Sequence, residues 1–169
     1  MVKSETSRKI QKRENPNDVF ITPLKLSKQA IDMIEYNKDD IWFDPFKNDG
    51  SYYNQFPEEC KKEWTEILDG KDFFDFNEKV DIICSNPPYS LLDNVFKKCI
   101  KLKPRVINLL IGINNLTTRR MEWMTEAGYG LTHFHMCKVW KWYGMSIIVQ
   151  FELDKPSVMT FDRTIWREN

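Results

Sequence analysis

The stretch Ser85-Asn86-Pro87-Pro88-Tyr89-Ser90 follows an apolar run, Val80 to Cys84, and precedes a helical pattern. Each proline lacks an N–H and restricts the residue before it, so the backbone is held extended with its carbonyls aimed outward. Asn86 adds a side-chain carbonyl. Two oxygens can then accept both hydrogens of one NH2 group. In an aromatic or amide-like amine the lone pair is delocalised into the neighbouring π system. Two acceptors on its hydrogens favour the pyramidal, nucleophilic form. Tyr89 offers a face on which the ring carrying the amine can stack. The corner suits methyl transfer to a planar amino group; a rigid strand-to-helix corner is the plainer alternative.

In an open parallel sheet, ligands bind outside the carboxyl ends of the strands. Three more polar clusters are expected there. The loop Asp44-Pro45-Phe46-Lys47-Asn48-Asp49-Gly50 contains two residues, Asn48 and Gly50, that accept left-handed backbone and let a ligand come close. An ordinary turn has the same composition. Glu66 is expected at the end of a strand, where a carboxylate can accept both hydroxyls of a ribose. Asp72, with Phe73 and Phe74, can accept an exocyclic amine beside an aromatic ring. Each acid alone fits a solvated loop residue equally well, but clusters at successive strand ends support one another.

Arg119, Arg120, Lys138 and Lys141 are candidate contacts to a nucleic-acid backbone. The last two lie beside Trp140, Trp142 and Tyr143 at a turn with Gly144. Some of these aromatics can equally pack in the core. His133, His135 and Cys137 share one face of a strand and have zinc-capable side chains. A structural metal site needs a fourth ligand that no other motif supplies. They read as packed or solvated strand residues, and no metal is predicted.

These residues need a scaffold. Thr22 and Pro23 open a predicted helix over 23–36, as N-cap and first helical residue. Strands are predicted over 41–43, 62–67, 80–84 and 106–111, with a loop or short turn over 71–76. Helices are predicted over 91–102 and 118–127, the latter stopped by Gly128. Runs such as Val106 to Ile111 are apolar throughout, the mark of strands covered on both faces. Two longer strands, 131–140 and 145–153, form a terminal hairpin that adds antiparallel pairing. The pattern predicts an α/β fold: a Rossmann-like, doubly wound, mostly parallel sheet with a C-terminal antiparallel hairpin.

The chain of 169 residues fits one domain, with 41% hydrophobic residues for a core and 30% charged residues for a soluble surface. Formal net charge is zero, so attraction to phosphates rests on local patches. Residues 1–18 form a basic flexible tail, either solubilising or contacting phosphates. Residues 19–155 form the catalytic domain. Residues 156–169 are a C-terminal extension packed on or flanking it. The four cysteines have no C-x-x-C spacing and read as reduced, buried thiols of a cytoplasmic protein. Neither a signal peptide nor a membrane span is expected.

The motifs carry a family resemblance over roughly residues 18–153. The chain resembles class I S-adenosylmethionine-dependent amino-methyltransferases of the adenine-N6 DNA type. Asn86-Pro87-Pro88-Tyr89 matches the family's catalytic tetrapeptide in full. The resemblance implies that the Asn86 side chain and the Pro87 carbonyl hold the target amine while Tyr89 stacks on a flipped base. It implies S-adenosyl-L-methionine as cofactor, held by Asp44 to Gly50, with Glu66 on its ribose and Asp72-Phe73 around its adenine. Phe20-Ile21-Thr22-Pro23 resembles the segment that contacts the cofactor's methionine part. Its position ahead of the loop is the family's gamma order. The family's loop reads D-P-F-x-G-x-G, and Asn48 stands where the first glycine of that pair would be. The usual target-recognition domain has no counterpart here, which implies a homodimer or a partner subunit that supplies recognition. The expected partner is nucleic acid, foremost DNA. Alternatives are adenine in RNA, a glutamine amide in a protein, and a catalytically inactive nucleic-acid-binding subunit, the last raised by Asn48.

Overall fold

The computed structural model describes residues 20–139, 142 and 144–162. The predicted basic tail over 1–18, and Trp140, Lys141 and Tyr143 at the hairpin tip, lie outside the described residues. Six strands form one sheet: β1 (Ile41–Asp44), β2 (Lys61–Trp64), β3 (Ile82–Ser85), β4 (Val106–Gly112), β5 (Tyr129–Cys137) and β6 (Ser146–Leu153). Their spatial order is β2-β1-β3-β4-β6-β5. The first four run parallel; β6 runs antiparallel to both β4 and β5. The hairpin therefore inserts its second strand between β4 and β5 and leaves β5 at the edge.

Helices cover both faces. α1 (Leu24–Asp32) packs Leu26, Ala30 and Ile31 on one face, against Trp42, Ile82, Leu110 and Ile148. α2 (Leu92–Leu102) and α3 (Thr118–Glu126) cover the other, with Val95, Phe96 and Met124 against Ile83, Ile107, Leu109 and Val149. Successive residues of β4 alternate between these two cores, which is why its sequence is apolar almost throughout. Its one polar residue, Asn108, is buried and donates to the Ala30 carbonyl and to Gln150 Oε1.

Several local expectations change, among them the end of β2, which stops at Trp64 rather than Ile67. The alternation of strand and helix is complete only from β3 onward, because both earlier crossovers carry single 3-10 turns, Tyr53–Gln55 and Ile67–Asp69. α1 ends at Asp32 rather than Tyr36: Ile34 turns into the core with its N–H on the Ile31 carbonyl, and the Tyr36 hydroxyl reaches Glu59. Thr22 does not cap α1. The N-cap is Pro23, without a side-chain bond, and the Thr22 hydroxyl is used elsewhere.

The described part of the C-terminal extension runs along β5. The Val158 N–H donates to the Leu131 carbonyl and the Leu131 N–H to Ser157 Oγ. A Cβ on Gly130 would lie 2.0 Å from the Lys155 carbonyl oxygen, so this close pass needs glycine. None of the helices among the described residues is long and apolar enough to cross a membrane. All four cysteines are free thiols.

Candidate active site

The loops after β1, β2 and β3 meet at the carboxyl end of the sheet, with the segment before α1 laid across them. They enclose a cavity of about 260 Å³. Asn48, Glu66, Asn86 and Pro87 are part of its lining.

The loop after β1 is tied to the end of β2. Thr65 Oγ1 donates to the Pro45 carbonyl at 2.7 Å, and the Lys47 N–H to the Thr65 carbonyl at 3.1 Å. Asn48 adopts φ 46° and Gly50 φ 86°, the left-handed geometry this composition allows. Glu66 lies two residues past the end of β2 and gathers two backbone donors. Its Oε2 accepts from the Asn48 N–H at 2.8 Å and its Oε1 from the Leu68 N–H at 3.2 Å. Trp64 is clasped by two ammonium groups, Lys47 at 3.9 Å and Lys71 at 3.7 Å from the ring centroid.

Beneath the loop, Asp44 is fully buried. Its Oδ1 accepts from Ser85 Oγ at 2.6 Å and from the Phe46 N–H, while its Oδ2 has no partner. Burial pushes its carboxyl up to about 7, against the lowering effect of the Ser85 hydroxyl. The Tyr52 hydroxyl is also buried without a partner, and burial pushes that phenol well up.

At the β3 corner, Asn86 Nδ2 donates to Thr22 Oγ1 at 3.2 Å and to the Phe20 carbonyl at 3.4 Å. The other end of the amide, Oδ1, is buried with no partner. Tyr89 packs against the core, and its ring lies near that of Phe20, centroids 6.3 Å apart at 28°. Phe20 in turn meets Trp142 from the hairpin edge-on at 5.7 Å. Tyr89, Phe20 and Trp142 thus form a row of three rings, of which Phe20 alone lines the cavity.

Of the sequence-predicted residues, Phe20, Thr22, Asn48, Glu66, Asn86, Pro87 and Pro88 line the cavity. Asp44, Pro45 and Gly50 shape its floor and loop without lining it. Asp72 and Phe73 stand apart from it. Asp72 accepts from the Phe74 N–H across its own turn, and Phe73 is buried among Phe43, Phe46 and Phe74. In their place Ile67 and Leu68 line the cavity, although exposed by 68% and 86%. Two adjacent apolar residues directly after Glu66 were the available signal. Ser85 and Tyr52 carried none, since their roles depend on contacts with distant residues.

The basic candidates separate. Arg120 binds Asp93 through Nε and Nη2 and also reaches the Asn115 carbonyl, joining α2 to α3. Lys138 donates to the carbonyls of Trp142 and Gly144 and closes the hairpin turn. Arg119 is exposed on α3. Lys141 lies outside the described residues. His135 contacts Gln29 of α1, and no group of three His, Cys, Asp or Glu among the described residues is arranged to hold a metal ion.

No family model matches the chain, and no curated protein matches it. Solved structures do. A protein from Pyrococcus horikoshii, provisionally named an RNA methyltransferase, superposes with a TM-score of 0.66 at 16% identity, over 83% of this chain and 91% of that one. The fold is that of the Rossmann-like methyltransferases. The Mtq2–Trm112 complex of E. cuniculi, responsible for methylation of the eRF1 termination factor, gives a TM-score of 0.61 at 16% identity, over 80% of this chain and 99% of that one. A modification subunit from Vibrio vulnificus YJ016, provisionally assigned to a type I restriction enzyme, gives 0.61 at 13% identity, over 89% of this chain and 48% of that one. These named roles differ widely, so this fold does not select a substrate; the site must.

Proposed function

We propose that this protein transfers a methyl group from S-adenosyl-L-methionine to the exocyclic N6 amine of adenine in DNA. The observation that carries the reading is Asn86 Oδ1, a buried acceptor without a partner on an amide that lines the cavity. A buried acceptor of this kind is costly unless a donor completes it. An NH2 group does so and leaves its second hydrogen for the Pro87 carbonyl.

The cavity suits the cofactor. Asp44 Oδ2 and the Tyr52 hydroxyl are orphaned polar atoms beside a loop opened by two left-handed residues. Phe20, Thr22, Asn48 and Glu66 would hold it, with Ile67 and Leu68 as apolar cover and Asp44, Pro45 and Gly50 supporting the loop. When bound, the cofactor would supply an electrophilic methyl carbon on a sulfonium, with a neutral thioether as the leaving group, and the amine's surplus proton would pass to solvent, so a strong base or metal is not required. The chain's task is alignment and exclusion of water. Asn86 and Pro87 orient the amine, Pro88 keeps the corner extended, and Tyr89 stacks on the target base. That base must leave its own stack first. Arg119, Lys141 and Trp142 are the proposed contacts to the strand, and recognition comes from a second copy or a partner subunit. The proposal sets the reaction in the cytoplasm, in keeping with four free thiols.

A second reading keeps the corner and moves the adenine to RNA; the name of the Pyrococcus relative favours it. Single-turnover transfer of a labelled methyl group tests both, using adenine-bearing DNA, cytosine-only DNA, RNA and a glutamine peptide. Transfer to the first substrate alone supports the proposal. Transfer to RNA alone favours the second reading, and transfer to the peptide alone overturns the nucleic-acid assignment.

A further inference from the structure

We propose that Thr22 is a positioning residue for Asn86, and that its hydroxyl dictates which end of the amide faces the cavity. An asparagine amide has nearly the same shape either way round, but one end donates and the other accepts. The Phe20 carbonyl can only accept, so the atom approaching it must be Nδ2. At 3.4 Å that contact is long. Thr22 Oγ1 supplies the shorter acceptor, at 3.2 Å. Together the two contacts engage Nδ2 and leave Oδ1 buried and unpartnered, the free acceptor of an amide that lines the cavity.

Thr22 is well placed to enforce this. It is 3% exposed, so water does not compete for the hydroxyl. Its neighbour Pro23 starts α1, which is anchored by Ala30 and Ile31 in the core. On the other side, Phe20 is wedged between Tyr89 and Trp142. Without the hydroxyl, one long contact remains to orient the amide. An inverted amide would turn N–H groups toward an incoming NH2 group, donor against donor.

The inference rests on the methyl-transfer reading, but one arm of its test does not. Thr22→Val preserves shape and burial and removes the acceptor; Thr22→Ser keeps it. At saturating cofactor, Thr22→Val should lower kcat for methyl transfer by roughly 10-fold or more with little change in target KM, while Thr22→Ser should recover most of the loss. Independently of activity, the Asn86 side-chain amide can be followed by NMR, its signal identified by its absence in Asn86→Asp. Its hydrogens should exchange several-fold faster in Thr22→Val than in wild type or Thr22→Ser. Equal exchange in wild type and Thr22→Val overturns the positioning role, as does an unchanged kcat. If wild type transfers methyl to none of the substrates, the methyl-transfer reading falls. Faster exchange in Thr22→Val then still supports the positioning of the amide, and equal exchange overturns it.

Discussion

Asn48 donates its backbone N–H to Glu66 at 2.8 Å, joining the two loops that flank the cavity. Glu66 also accepts from the Leu68 N–H. Its removal therefore loosens two cavity-lining residues, Asn48 and Leu68, together. Glu66→Ala should weaken S-adenosyl-L-methionine binding at least 10-fold by calorimetry, more than one lost ribose contact would. Unchanged affinity would remove Glu66 from the cofactor site.

Asn48 itself should tolerate glycine. Its φ of 46° suits glycine, and the bond to Glu66 uses only the backbone. Asn48→Gly should bind cofactor as well as wild type or better. Asn48→Val, β-branched in left-handed geometry, should lose about 1–2 kcal/mol of stability. A large affinity loss in the glycine variant would instead reveal a contact made by the asparagine side chain.

Asp44 should make stability depend on pH with an unusual sign. Burial raises its carboxyl from 3.8 to about 7. The folded protein then retains a proton that the unfolded chain releases above about pH 4. Its contribution is fully favourable below that point, declines as pH rises to about 7, and is flat beyond. Asp44→Asn cannot titrate. Relative to this variant, wild type should lose on the order of 4 kcal/mol across the window, at about 1.4 kcal/mol per pH unit. Thermal melts between pH 4 and 8 measure the gap, and a gap that stays constant refutes the shift.

Asn86 and Tyr89 should fail differently. Asn86→Ala removes the acceptor and should slow methyl transfer by about 100-fold or more with cofactor affinity nearly intact. Tyr89→Ala should cost about 1–3 kcal/mol of stacking, while Tyr89→Phe should retain most activity. Equal defects in the two Tyr89 variants would point to the hydroxyl rather than the ring.

Arg120 should prove to be a stability residue. Its side chain is 12% exposed and joins Asp93 to the Asn115 carbonyl. Arg120→Ala should lower stability by about 1–3 kcal/mol, whereas Arg119→Ala should leave the melting temperature unchanged. A nucleic-acid affinity loss in Arg120→Ala without a thermal effect would restore it as a strand contact.

The sequence was most legible where burial is continuous. The predicted span of β4 differs from the observed one by a single residue, and α2 and α3 show a similar match, because an apolar run or stripe records its own surroundings. It was least legible where one residue answers to a distant one. Thr65 leaves β2 to bond the Pro45 carbonyl, so the strand stops before Glu66 instead of running through it. Phe73 and Ile67 exchange their expected places because apolar character alone does not say which side chain meets the core. Thr22 looked like a helix cap, and only the fold brings it to Asn86.

The contact between Phe20 and Trp142 sets an order of events in synthesis. One partner lies just before α1, the other in the turn between β5 and β6. The Asn86 amide is held by the segment that Phe20 begins. A ribosome making this chain therefore releases the Asn86–Tyr89 corner before Trp142, whose ring meets Phe20 of the segment that holds it. The nascent protein carries Asn86 and Tyr89 from about mid-translation, but Phe20 meets Trp142 only when the hairpin emerges.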